Sequence, residues 1–410
     1  MAIREDHPVP RLRTDLEVVP TSYQGKRALL IRDALGLIRQ PVILQGEALS
    51  LVTLIDGKKT IRDLQVELVR ARRGMLIDLD DVEKIIDQLD SAFLLQSRLY
   101  EREKERLISE YAQLAVREAS HAGLSYPASE PELRRYLDSI LESEGRLEPG
   151  PDRPPDALIS PHIDLEAGKR AYALAYGAIR HRRFGRVFLL GTGHSLDDGF
   201  YCLTGKDFQT PLGLVKTERE VVKKLRKAGG VAISRSDIFH RREHSLEFQI
   251  LFLQHLFGSS FVIVPILCGS FAAMLERVSR PSQLEGVADF LAQLRRCWEE
   301  EREDSLFVAG VDFSHIGPKF GHRERAASLL LEARHHDQKL LEAVTRGDVE
   351  ALWAEARRVR DRFNVCGFSA LAALLEVLPG AQGRVLDYRF WQEEATQSAV
   401  SFAAAVLVAC

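Results

Sequence analysis

Three short runs carry residues suited to metal chemistry: Ile-Ser-Pro-His at Ile159–His162, Gly-Thr-Gly-His at Gly191–His194, and Asn-Val-Cys-Gly at Asn364–Gly367. The first two follow apolar, strand-like stretches, Ala157–Ile159 and Val187–Leu190. Strand ends in α/β proteins open into the crevice where ligands bind. Two imidazoles and one thiolate brought together there would make a three-ligand site with an open coordination position. Pro161 holds the residue before it in extended geometry, which suits a strand end presenting His162. Gly191 and Gly193 permit a tight turn and close backbone approach to a bound group. The stretch lacks the spacing and the lysine of a phosphate loop. Cys366 opens an expected helix, Phe368–Val377, and a helix N-terminus favours the thiolate that a metal needs. A buried structural thiol and a cysteine nucleophile served by a histidine are the other readings of that position.

Further segments occur in a telling order: His121–Pro127, Glu132–Leu137, Ser160–Asp164, Gly191–Ser195, Glu243–Glu247, Val311–His315 and Val365–Gly367. From Ser120 onward the chain resembles the Memo family, known in bacteria as protein B of the AmmeMemoRadiSam system. The resemblance implies an α/β fold shared with class III extradiol dioxygenases, with a mixed sheet and helices on both faces. It implies one metal held by His162, His194 and Cys366. It places His315 where related enzymes keep an acid/base histidine, with Asp312 as its partner or as a polar wall. Three residues apart, these two share a face if their turn is helical. Asp164, His244 and Glu247 are expected to line the pocket, with Glu243 a weaker candidate.

Extradiol dioxygenases bind Fe(II) through two histidines and a carboxylate. Here the carboxylate position matches Cys366, and thiolate shifts preference toward Cu(I) or Zn without excluding iron. The implied cofactor is therefore one transition metal ion, Fe(II) or Cu first, with Zn also compatible. The implied function is a redox-related metal-binding protein working with radical-SAM and AMMECR1-like partner proteins. Two alternatives stand beside it: an Fe(II) extradiol-type dioxygenase, and a non-catalytic scaffold that binds a peptide or a protein.

The strands and helices that must position these residues alternate from Ala157 to Phe368–Val377, the pattern of an α/β sheet covered on both sides. Two closing strands, Arg384–Trp391 and Ser398–Val408, are expected at its antiparallel edge. Ahead of this lies a different pattern. Ala28–Ile31 and Val42–Leu44 read as strands. Gly46–Leu54 reads as a helix, Thr60–Val69 as a second with Thr60 as N-cap, and a third follows Asp80; Phe93–Leu95 closes the unit as a strand. This small α+β, winged-helix-like unit resembles PqqD-like domains at Leu54–Leu64 and Ile86–Leu95, which implies peptide recognition by strand addition. The helix at Thr60–Val69 mixes Arg62 with Asp63 and Glu67, a poor face for DNA. The expected domains are a flexible arm at 1–20, the PqqD-like unit at 21–97, a charged helical linker at 98–118 and the Memo-like domain at 119–410. A proline-rich loop, Glu148–Pro155, leads into the first histidine run.

Composition sets the outer limits. The chain has 56 Lys and Arg against 59 Asp and Glu, a net charge of −3, which argues against a generally nucleic-acid-binding surface. Five cysteines without a CxxC pair point to a reducing compartment, so a cytoplasmic location is expected. No apolar run suggests a signal peptide or a membrane span. His181, His240, His255, His322, His335 and His336 read as surface or helix residues.

Overall fold

The computed structural model describes residues 6–38, 40–72, 74–143 and 154–410. Most of the proline-rich loop expected at Glu148–Pro155, and the first five residues of the expected arm, lie outside the described residues. The chain divides into two compact units, Met1–Gln113 and Leu114–Cys410. Among the described residues, no helix is long and apolar enough to cross a membrane.

In the first unit, β1 (Leu16–Tyr23), β2 (Lys26–Asp33) and β3 (Val42–Gln45) form an antiparallel sheet in the order β1-β2-β3. Helices α1 (Gly46–Val52), α2 (Ile61–Ala71) and α3 (Leu79–Ser91) share its core through Leu51, Leu64, Leu68, Val82 and Ile86. The apolar spacing that marks α2 as buried also sets where it starts. Thr60 accepts from Asp63 N while the Asp63 carboxylate accepts from Thr60 N, a reciprocal cap that satisfies two orphan donors.

The start of the chain departs from the expected loose arm. Leu16–Tyr23 is a strand, Val9 is buried, and the buried Arg13 guanidinium bridges Asp15 and Asp33 at 2.9 Å each. Only Val19 of β1 is buried, so no hydrophobic alternation announces this edge strand; its ladder with β2 makes it. The expected closing strand at Phe93–Leu95 reduces to a single bridge, Leu12 to Leu95, with Phe93 at φ 55°. The charged helix α4 (Arg98–Ala112) is part of this unit. Its buried Tyr100 lies 4.2 Å beneath the Arg13 guanidinium and donates to Asp15 at 3.1 Å.

The second unit begins with β4 (Val116–Arg117), α5 (Glu130–Leu141), β5 (Ala157–Ser160), α6 (Lys169–Gly177) and β6 (Arg186–Thr192). A short excursion follows: β7 (Tyr201–Leu203), β8 (Asp207–Thr210), β9 (Gly213–Thr217) and α7 (Arg219–Gly229). Then come α8 (His244–Phe257), β10 (Val262–Cys268), α9 (Val287–Glu299), β11 (Ser305–Gly310) and β12 (Asp312–Ile316). The unit ends with α10 (Ala326–Thr345), α11 (Val349–Val359), α12 (Phe368–Val377), β13 (Gln382–Glu393) and β14 (Ser398–Val408). The strands join in one mixed sheet ordered β12-β14-β5-β11-β6-β10-β9-β8-β4, with β13 paired to β14 and β7 to β10. Strands β5, β11, β6 and β10 run parallel, so their C-terminal ends lie side by side. β14 is not at the edge. It runs antiparallel between β13 on one side and β5 and β12 on the other.

Side-chain alternation assigns the two faces of this sheet. Leu190 and Ala309, paired in register, belong to the apolar cluster that contains Leu371 and Leu374 of α12. Their successors Gly191 and Gly310, also paired, face α8. A Cβ on Gly191 would lie 2.5 Å from Ser245 Oγ, and one on Gly310 would lie 2.4 Å from Ser245 O. Gly191 and Gly310 therefore admit a helix; for Gly191 the sequence suggested approach to a bound group. α8 docks with its first turn against the ends of β6 and β11.

Candidate metal centre

His162 follows β5, His194 follows β6, and Asp312 follows β11, three adjacent parallel strands. His244 is the first residue of α8, and Cys366 lies two residues ahead of α12. Helix docking thus brings one ligand candidate to the strand ends from each face of the sheet. His162, His194 and His244 each offer a ligand atom within 4.8 Å of the others. Their ring centroids are 5.0 to 5.2 Å apart. His162 is buried, while the His194 and His244 side chains are 36% and 32% exposed, so the cluster has a closed floor and an open mouth. The Cys366 thiol lies 3.4 Å from His162 Nε2.

Each imidazole is oriented through Nδ1. His162 Nδ1–H donates to Gly310 O at 2.9 Å. His194 Nδ1–H donates to the Glu243 carboxylate at 3.0 Å, and His244 Nδ1 faces the same carboxylate at 3.3 Å. These partners engage Nδ1 and so leave Nε2 as the atom through which each ring would meet a metal, and an outer carboxylate also raises ligand basicity. Glu243 is buried and accepts from Ser245 N as the cap of α8, so one side chain starts the helix and holds two imidazoles.

The charges of the cluster form two coupled pairs. Burial pulls the His162 imidazole down, but Asp312 and Cys366 outweigh it and hold it at about 9. Burial raises the Cys366 thiol, and the facing His162 and His315 overcome that and bring it well below the ordinary thiol range. Burial likewise opposes the second pair, yet Glu243 raises His194 and His194 lowers Glu243. His244 goes the other way: burial lowers it, and the neighbouring His194 and His162 add to this against Glu243. A thiolate, two or three imidazoles and no excess cationic side chain fit a soft or borderline metal ion, which would take the place of protons on His162 and His194.

The remaining expected positions fall in different places. Asp312 is buried and its Oδ1 accepts from His162 N and Ile163 N at 3.0 and 3.3 Å, so it holds the turn that presents His162. The segment that carries both is strand β12, not a helical turn, with a register irregularity between Asp312 and His315. Across that irregularity Asp312 pairs with Phe402 and His315 with Val400, two positions apart on β14, so the two side chains share a face of the sheet despite their odd spacing. His315 Nδ1–H donates to Phe313 O at 2.9 Å, and its ring sits edge-on to Phe320. Asp164 is exposed and caps a local turn, accepting from Glu166 N and Ala167 N.

Glu247 is fully buried, one helical turn beyond His244. It pairs with the buried Arg117 and accepts from Tyr126 Oη, Ser120 Oγ, Ser120 N and His121 N. It therefore fastens the segment Arg117–Tyr126 onto α8 and is not part of the pocket wall. That segment lays the His121 ring 5.6 Å from His244, a neighbour the sequence offered only as part of a motif. Glu243 is the other underrated residue, and its place directly before a histidine that opens a helix was the available signal. His240 and His336, expected at the surface or on helices, are both 1% exposed; His240 Nε2–H donates to Cys202 O and His336 Nδ1–H to Glu355.

The sequence profile described as Memo-like protein matches residues 117–406. A MEMO1 family protein of Aquifex aeolicus (strain VF5) is 29% identical over 381 residues, covering 92% of this chain and 95% of its own. The MEMO1 family protein TTHA0924 of Thermus thermophilus is 30% identical over 351 residues, covering 85% of this chain and 99% of its own. A protein memo-1 homolog of Caenorhabditis elegans is 28% identical over 318 residues, covering 71% and 82%. The two bacterial matches are longer than the second unit, so their similarity extends into the first.

Proposed function

The chain belongs to the Memo-like family, and on that premise we propose that its second unit binds one transition metal ion through His162, His194 and Cys366. The observation that supports this most directly is the shared orientation of the imidazoles. Each has Nδ1 occupied, and the Cys366 thiol stands 3.4 Å from Nε2 of His162. When bound, the ion would supply Lewis-acid or redox chemistry at a coordination position left open toward solvent. His162, His194 and Cys366 would hold it, Gly310 O and Glu243 would fix the rings, and His315, with Nδ1 engaged and Nε2 available, would hold or move a proton beside it.

A second reading, a three-histidine set with His244 in place of Cys366, draws on the 4.8 Å clustering of the three rings. Metal analysis of protein purified anaerobically without a metal-binding tag separates the two. Cys366→Ala is expected to lose the metal, and His244→Ala and His315→Ala to keep about one ion per chain. Loss in His244→Ala with retention in Cys366→Ala would replace the first reading by the second. Iron together with oxygen uptake on a catechol would favour the extradiol-type dioxygenase. Copper or zinc without turnover would favour a metal-binding component acting beside radical-SAM and AMMECR1-like proteins, or a non-catalytic scaffold.

The first unit is read as a PqqD-like module that recruits a peptide. Its sheet has β1 and β3 at its two edges, where an extended peptide can add a strand. A leader-like peptide is expected to bind the full chain and to shift amide signals in β1 or β3; perturbation confined to the second unit would remove this reading.

A further inference from the structure

Among the described residues, six non-glycine residues have positive φ, and three of them lie in the loop from α11 to Cys366: Arg360 at 53°, Asp361 at 52° and Asn364 at 49°. L residues are disfavoured in this region because Cβ crowds the backbone, with Asn and Asp the most tolerant. Such a conformation persists where its surroundings over-determine it. Here Asn364 N donates to Asp361 O at 3.0 Å and Val365 N to Asp361 Oδ1 at 3.2 Å. The Asn364 side-chain amide donates to His315 O and to Phe320 O, both at 3.2 Å. From the opposite side, His315 N donates to Phe363 O at 2.7 Å.

The loop that delivers Cys366 is thereby stitched to the segment that starts at Asp312 and carries His315. Just beyond Cys366, Gly367 N donates to Asp312 O at 3.0 Å, and a Cβ on Gly367 would lie 2.6 Å from that oxygen. Cys366 is thus held from both sides, by a glycine contact after it and by the Asn364 clamp before it. We propose that Asn364 is a positioning residue for the thiolate, its amide locking the left-handed loop so that Cys366 Sγ faces His162 Nε2. This rests on the reading of Cys366 as a metal ligand. Asn364 itself is exposed, so a substitution there leaves the core packing intact.

The test uses the full chain and Co(II) as the probe, with affinity measured by chelator competition and the thiolate-to-cobalt absorption recorded. Asn364→Gly keeps the left-handed conformation and loses both donors. Asn364→Asp keeps the size and turns a carboxylate toward two carbonyl oxygens. Both are expected to weaken Co(II) binding by roughly 10–100-fold, as loss of an outer contact does, and to shift or weaken the thiolate absorption. Thermal unfolding of the metal-free Gly variant should stay near that of the wild type. In a Cys366→Ala background, where the weak affinity left for added Co(II) rests on the histidines, Asn364→Asp should add no further loss, the signature of two residues acting as one unit. Unchanged affinity and absorption in both variants would overturn the inference, as would an equal loss added on top of Cys366→Ala. Wild-type protein with no thiolate absorption would instead remove Cys366 as a ligand, and this inference with it.

Discussion

His162→Ala is expected to strip the chain of metal, with a loss of affinity greater than the roughly 10–100-fold that an outer contact contributes. The reason is that His162 serves the cluster in two ways. Its Nε2 is a donor in the ligand reading, and in the metal-free chain its charge is the largest of those that bring the Cys366 thiol below the ordinary range against burial, with His315 beside it. Removing the ring takes one ligand away and also removes the largest of the charges that favour the thiolate a metal needs. The fold should survive, because Asp312 holds the turn through the backbone N–H groups of residues 162 and 163, which the substitution leaves in place. Elemental analysis and circular dichroism of the purified variant check both halves. One metal ion per chain in a folded His162→Ala protein would exclude the proposed centre.

Glu247→Ala is expected to produce the largest loss of stability among single changes around the site, about 3–5 kcal/mol. It leaves the Arg117 guanidinium buried without its partner and removes the acceptor of four further hydrogen bonds from the segment that covers α8. Breaking such a pair costs far more than replacing it whole. Arg117→Met combined with Glu247→Leu should therefore recover much of the loss, while Glu247→Gln falls between. The pH dependence follows from the direction of the carboxyl shift. Burial raises Glu247, yet Arg117 and Tyr126 bring it below its ordinary value of 4.5 in the folded chain. Its contribution is therefore complete above about pH 4.5 and is lost as pH falls through the lower folded value. Urea unfolding at neutral and acid pH should show the wild type losing this stability and Glu247→Ala having none of it to lose. Equal urea midpoints for wild type and Glu247→Ala at neutral pH would sink the assignment of Glu247 as the fastener.

What could be read directly from the chain were features whose causes are local. The apolar runs before His162 and His194 become strands because their composition suits burial on both faces of a parallel sheet, and they end where Pro161 and Gly193 interrupt them. Thr60 starts its helix because the hydroxyl and the carboxylate three residues on complete each other's hydrogen bonds. Phe368–Val377 is a helix over those same residues, apolar at all but Ser369 and Glu376 because nearly all of it is buried. The three proposed ligands stand at the ends of such elements, which is why residue type and position picked them out.

Tertiary structure decided the rest, because the missing information was which distant groups meet. Asp312, offered by the sequence as the partner of His315 or a polar wall, also holds the distant His162 turn and lies 3.6 Å from His162 Nε2. Glu243, His244 and Glu247 sit within one helical turn, and the sequence read His244 and Glu247 as pocket residues with Glu243 as the weaker candidate. Docking sends Glu243 to two imidazoles, Glu247 to a buried arginine and His244 to the mouth of the cluster. That outcome depends on how closely α8 approaches β6 and β11, which the facing glycines Gly191 and Gly310 permit. Sequence thus determined the ligand candidates and the elements that carry them, since those follow from propensity and capping within a few residues. The partners that orient each ligand, and the charges those partners impose, came only from long-range packing, because a buried charge takes its character from whatever the fold sets against it.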